Sequence, residues 1–211
     1  CYNNRKLKNM SYMSVLQCRI SDLSNWTETW NEWGKDFSLS TGATGARMSQ
    51  TMLGGEQAGI VMISFDWDSI DAAMNGLTAM NNEGRVIAAF KAAGVVSQGR
   101  SLMQIDQERG VPEGSYFSAI MMTGSPIAPA DQAKDMDRNY GILSNYSVTG
   151  MRLMQAVAAG EMTGAYLNVT YTNSLDQLMV GSKEVFSNPE MLAQMKKHNI
   201  QVHRRSMSRM L

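Results

Sequence analysis

The residues best equipped for chemistry in this chain are two histidines, a recurring set of arginines and four tryptophans. His203 is the better general acid or base, because imidazole changes charge near neutral pH. Arg205 lies two residues on, on the same face of an extended run, and a guanidinium presents a fixed fork of donors to a carboxylate or carbonyl. His203 and Arg205 are therefore the candidate catalytic pair. Gln98 and Arg100 hold the matching places on an earlier run. With Trp26 and Trp67 they form the candidate ligand-binding set, an aromatic wall beside an amide and a guanidinium.

Each of these residues also has a structural reading. Arg100 and Arg205 would sit on strands expected at sheet edges, where charge blunts unwanted pairing. Trp26, Trp30, Trp33 and Phe37 recur at the spacing of one helical face, as core packing requires. Arg47 and Arg152 can serve a ligand, pair with Glu56 and Glu161 across a hairpin, or meet solvent. His198 closes the run Lys196-Lys197-His198-Asn199, where positive charge suits a helix C-terminus.

Several chemistries lack their motifs. No zinc-type spacing of His, Cys and carboxylate occurs, and the glycine runs Gly42–Gly45 and Gly54-Gly55 do not lead from strand to helix as a phosphate loop does. The expectation is therefore metal: none, cofactors: none. With 19 Lys+Arg against 19 Asp+Glu, the balanced charge argues against a nucleic-acid partner. No apolar run reaches the roughly 18–20 residues of a membrane span. Cys1 and Cys18 suggest neither a disulfide framework nor a metal site, which fits a cytoplasmic setting. Residues 1–12 read as a polar tail, and the leading Cys1 would suit a lipid-modified N-terminus only with a signal segment, which is not seen. The 19 methionines are suited to filling irregular core space, or an adaptable ligand surface.

The elements that must position these residues follow from a duplication. Shifting the sequence by 105 places aligns 45–76 with 150–181 without a gap, and ten of the 32 positions are identical. They include Gly45/Gly150, Arg47/Arg152, Gly55/Gly160, Glu56/Glu161, Ser69/Ser174 and Gly76/Gly181; chance would give about two. The polar stretch 106–114 reads as a linker between a first unit, 13–105, and a second, 115–211.

Within the first unit, alternation and turn residues predict strands over 13–20, 46–53, 59–67 and 95–105. One helix carries the tryptophans. The other starts at Asp68-Ser69, with Ile70, Met74, Leu77 and Met80 on its inner side, and ends at Gly94. The second unit repeats the order, with strands over 115–123, 151–159, 165–172 and 200–210 and helices over about 129–144 and 174–198. In the last helix Asn188-Pro189 predicts a break.

The order strand, helix, strand, strand, helix, strand is the ferredoxin-like βαββαβ arrangement, with both helices on one face of a four-stranded antiparallel sheet. The bare faces of the two sheets would bury each other, so the fold class is α+β, two tandem units forming an intrachain pseudo-dimeric barrel. On element order and duplication over 13–210, the chain resembles the dimeric α/β-barrel superfamily in its tandem form. That resemblance implies company with cofactor-independent monooxygenases, haem-degrading or haem-binding enzymes, lactone isomerases and stress-response proteins. It implies small-molecule binding or metal-independent, monooxygenase-like processing in a pocket between sheets and helices. The alternative is a non-catalytic stress-response or assembly module, either a monomeric pseudo-dimer or a higher homo-oligomer. Because no complete catalytic set is visible, enzyme status stays open at this stage.

Overall fold

The computed structural model describes residues 10–211, so the expectations for 1–9 lie outside the described residues. Eight strands form where the alternating runs predict them: β1 Ser11–Ile20, β2 Gly45–Leu53, β3 Val61–Trp67, β4 Val95–Gly110, β5 Tyr116–Thr123, β6 Val148–Ala158, β7 Tyr166–Thr172 and β8 Gln201–Met210. Each unit has the ferredoxin-like strand order, β4-β1-β3-β2 and β8-β5-β7-β6. The sheets also join edge to edge, β2 to β8 and β4 to β6, so the eight strands close into one barrel. Across one seam the Ser208 hydroxyl donates to Thr51 Oγ1 at 3.3 Å.

The closure changes two expectations. Strands β4 and β8 have no free edge, so Arg100 and Arg205 have no edge to blunt. The polar segment read as a linker is strand as far as Gly110, because residues 107–110 pair with 150–153 of β6. Only Val111–Ser115 turns the chain into β5, and Gly110 takes a positive φ of 66° at that corner.

Outside the barrel lie the helices. The first is continuous from Leu23 to Ser40: α1 Leu23–Thr29, a π-helical turn at Trp30–Gly34 and α2 Lys35–Ser40. The extra residue in that turn rotates the face, so Trp26 and Trp30 are buried while Trp33 and Phe37 are half-exposed. The second helix breaks in both units, into α3 Ile70–Asn82 and α4 Gly84–Ala92, then α6 Leu175–Ser187 and α7 Pro189–Lys197. The break expected at Asn188-Pro189 thus has a counterpart at Glu83, 105 residues earlier and without proline. In both, a side-chain carbonyl or carboxylate accepts from the next helix, Asn188 from Glu190 N and Met191 N, and Glu83 from Arg85 N. Helix α5, Pro129–Leu143, covers the second sheet.

The buried side of α3 is Ala73, Gly76 and Met80; Ile70 and Met74, expected inside, are exposed. Trp67 is the reason. Gly76 lies so close to its ring that an added Cβ would stand 2.3 Å away, which fixes the helix rotation about that contact. Three apolar clusters result: one under the helices of each unit and one in the lumen.

Candidate functional site

In a strand successive side chains point to opposite faces, so half of each strand lines the barrel lumen. On β3, Val61, Ile63, Phe65 and Trp67 face the helices, and Met62, Ser64 and Asp66 face inward. An eight-stranded barrel is wide enough either to be filled by side chains or to hold one small ligand. Here small residues, among them Ala119, Ala156, Ser49, Ser64 and Ser101, leave a cavity of about 300 Å³. Six methionines share its wall: Met13, Met62, Met103, Met121, Met162 and Met210.

All eight pairings are antiparallel, so β1, β2, β5 and β6 run one way and the other four run back. The β2–β3 and β6–β7 hairpins therefore share one end of the barrel. Gln57, Ala159 and Met162 from their turns line the cavity there, beside Arg204. The opposite end is a floor built on the duplication itself. Arg47 and Arg152, equivalent in the two units, converge on one carboxylate.

Asp66 accepts from Arg152 Nη1 and Nη2, each at 2.9 Å, and from Arg47 Nη1 at 2.7 Å. Arg152 Nε donates to Glu108, and Arg47 Nε to the Pro112 carbonyl at 3.2 Å. The expected partners Glu56 and Glu161 are not used: both sit in the turns at the far end, exposed. Burial pushes the Asp66 carboxyl up, but the hydrogen bonds and charges of Arg152 and Arg47 outweigh it and hold the group below the ordinary carboxylate range. For Arg152 burial pulls down, and Asp66 more than reverses it.

The place equivalent to Asp66 in the second unit is Tyr171, which also lines the cavity. Burial raises its phenol above the usual value, with the charges of Arg152 and Arg47 opposing. It therefore stays a neutral O–H donor.

A depressed carboxyl contributes stability that is complete above its unfolded pKa, about 3.9, and is lost as pH falls through the lower folded value. The expected result is that the urea midpoint of the wild type drops steeply below about pH 4. In Asp66→Asn that acid limb should be shallower, as parallel urea titrations would show.

The residues singled out from sequence lie on the outer side of the barrel. Arg205 Nε donates to Ser118 Oγ at 2.7 Å and its Nη2 to Ser182 Oγ at 3.0 Å, tying the sheet to α6. His203 is exposed, with Nε2 2.7 Å from Thr123 Oγ1. Gln98 is exposed as well. Arg100 reaches Asn81 on α3 at 3.5 Å, and with Trp26, Trp30 and Trp33 it borders a small pocket of about 50 Å³ under the helices. The fold thus places Arg100 and Trp26 at one pocket, while His203 and Arg205 lie in the other unit. Trp67 is fully buried, its indole N–H donating to Ser14 Oγ at 2.9 Å. None of the six lines the lumen.

The resemblance to haem-binding proteins makes the histidines a test. His203 faces outward, and His198 borders a pocket of about 70 Å³ between α5, α7 and the second sheet. Cofactor pockets typically hold about 300–1,000 Å³. Among the described residues, no histidine or cysteine lines the larger lumen. These residues do not fit a histidine-ligated haem. Among the described residues, no cluster of three or more His, Cys, Asp or Glu is placed to hold a metal ion. No helix among them is long and apolar enough to cross a membrane.

No family profile matches the sequence, and no curated protein matches it. Solved structures do match across nearly the whole chain. A provisionally assigned chlorite dismutase superposes with a TM-score of 0.62 at 14% identity, covering 96% of this chain and 95% of its own. A provisionally assigned monooxygenase from Fusobacterium nucleatum subsp. nucleatum gives 0.60 at 11% identity, covering 97% and 94%. A haem-binding protein from Thermus thermophilus gives 0.59 at 9% identity, covering 96% and 91%. Likeness at this level of identity carries the architecture and leaves the activity open. The chain has the fold of the dimeric α/β barrels, with both halves in a single polypeptide.

Proposed function

We propose that the protein binds a small, largely apolar molecule in the barrel lumen. The carrying observation is the 300 Å³ cavity walled by methionine, alanine, valine and aromatic side chains, with Arg47 and Arg204 at opposite ends and three serines along the wall. A concave apolar site with a few convergent polar groups is the usual form of a small-molecule site. Methionine is unbranched and polarizable, so six of them give a wall that adapts to shape. The names of the structural neighbours, which include a monooxygenase, are in keeping with a small organic ligand.

A second site is favoured by one observation. The indole N–H of Trp26 is buried without a hydrogen-bond partner among the described residues, in the pocket that Arg100 and Asn81 border. An aromatic ligand carrying an acceptor would satisfy it, in the manner of a monooxygenase substrate held by aromatic, amide and guanidinium groups.

One experiment separates the two sites. Melting is followed with 1-naphthol and 1-octanol as probes, in the wild type, in the lumen-filling variants Ala119→Trp and Ala156→Phe, and in Trp26→Phe. A probe at 100 times its Kd adds about 2.7 kcal/mol, a rise of roughly 5–10 °C for a chain of this size. The expected result is a rise in the wild type and in Trp26→Phe that both lumen variants lose. A rise lost only in Trp26→Phe would move the site under the helices. No rise with either probe in the wild type would overturn lumen binding.

A further inference from the structure

We infer that the lumen ligand is an acid: a monocarboxylate whose carboxylate is held at the floor by Arg47 and Tyr171 and whose apolar body extends along the methionine wall. The inference rests on the lumen being the binding site and adds the chemical class of what enters it.

The charge of the lining is one-sided. Among the described residues, two charged side chains line the cavity, Arg47 at the floor and Arg204 at the hairpin end, both cationic, and no Asp or Glu does. Behind the floor, Asp66 is fully engaged. Both of its oxygens are occupied by Arg152, and one also by Arg47. The buried trio Arg47, Asp66 and Arg152 therefore carries one net positive charge. The carboxylate that balances it, Glu108, is bonded to Arg152 Nε and does not line the cavity. The lumen therefore meets the guanidinium of Arg47 and not the carboxylates that offset the cluster, which favours an anion over a neutral group at the floor.

The donors are present too. Arg47 spends Nη1 on Asp66 and Nε on the Pro112 carbonyl; its Nη2 has no partner among the described residues. The Tyr171 hydroxyl also has none there, although the residue is buried in the barrel wall and borders the cavity. A guanidinium N–H and a phenol O–H lining one cavity suit the two oxygens of a carboxylate. The two copies differ at this place: where the first has Asp66 the second has Tyr171, which supplies a donor rather than an acceptor.

The body of the ligand has room for a short chain or one ring. From the floor, Met13, Phe117, Met103, Met62 and Val169 supply apolar contacts, with the small hydroxyls of Ser49, Ser64 and Ser101 between them.

The test measures binding by titration calorimetry for matched pairs: octanoate against 1-octanol, and 3-phenylpropionate against 3-phenyl-1-propanol. The proteins are the wild type, Tyr171→Phe, Arg47→Gln and Ala119→Trp. Each acid is expected to bind at least about tenfold more tightly than its alcohol. Tyr171→Phe, which keeps the ring and its packing, should weaken the acids several-fold and leave the alcohols unchanged. Arg47→Gln should abolish the preference, while Asp66 retains its paired bonds from Arg152. Equal affinity for acid and alcohol, with both lost in Ala119→Trp, would overturn the acid inference and leave lumen binding standing. Binding of neither member of either pair overturns both. An acid preference that survives in Ala119→Trp places the anion at a surface arginine and likewise overturns the inference.

Discussion

Replacing Asp66 with alanine is expected to lower the unfolding free energy by about 3–5 kcal/mol, the cost of removing one partner from a buried ionic cluster. Three charge-assisted hydrogen bonds end on this carboxylate, and Arg152, whose side chain is 5% exposed, has little water to turn to. The two duplicated guanidinium groups would then face each other with Glu108 alone to offset them. For a chain of this length the melting temperature should fall by roughly 10 °C or more. The double replacement Asp66→Leu with Arg152→Met removes the guanidinium that Asp66→Ala leaves unpaired, with Arg47 and Glu108 remaining as charges of opposite sign, and should recover part of the loss, since apolar groups of similar size can substitute for buried ion pairs. Urea denaturation of the three proteins checks this. A loss below about 1 kcal/mol in Asp66→Ala would mean that water reaches the floor freely.

Trp67→Ala should cost a similar amount, about 3–5 kcal/mol, for a different reason. The indole is fully buried between Phe65 and Gly76 and holds the Ser14 hydroxyl. Removing it leaves a large hole that Gly76, having no side chain, cannot refill, and an unpaired hydroxyl at Ser14. Because Trp67 faces away from the lumen, affinity of the folded variant for octanoate should stay within about twofold of wild type. A selective loss of binding without loss of stability would restore Trp67 as a ligand residue. Urea titration beside calorimetry reads both quantities.

These two residues show where sequence reasoning reaches and where it stops. The fold was legible because the signals that define it are local and doubled: alternating strands, helix caps at Ser69 and Ser174, and a 105-residue shift that brings ten identities into line. The break at Asn188 was legible from its proline. The same break at Glu83 was not, since a capping carboxylate there leaves no comparable mark. The site was mostly hidden, for geometric reasons. Which face of a strand looks into the barrel depends on how the sheets join, and the arginines of β4 and β8 look plausible on either side until that is known. Arg47 and Arg152 were visible as a matched pair within the repeat, but their partner was not, because Asp66 is near them only after the strands have paired. One clue was available. Asp66 is the one charged residue of its strand, VMISFDW, at a place where the other copy has tyrosine.

The seam between β2 and β8 has a consequence in time. Thr51 and Ser208, which meet across it, are 157 residues apart in the chain. At about 5–20 residues per second of synthesis, β2 leaves the ribosome roughly 8–30 s before the strand that pairs with its outer side exists. During that interval the first unit has an uncovered sheet face rich in methionine and an open strand edge, both of which invite association with other nascent chains. Contacts so far apart also place the barrel among slowly folding topologies. The duplication that gives the protein a lumen therefore leaves its first half exposed for as long as the second is being made, so its yield in cells should depend on how well that interval is chaperoned.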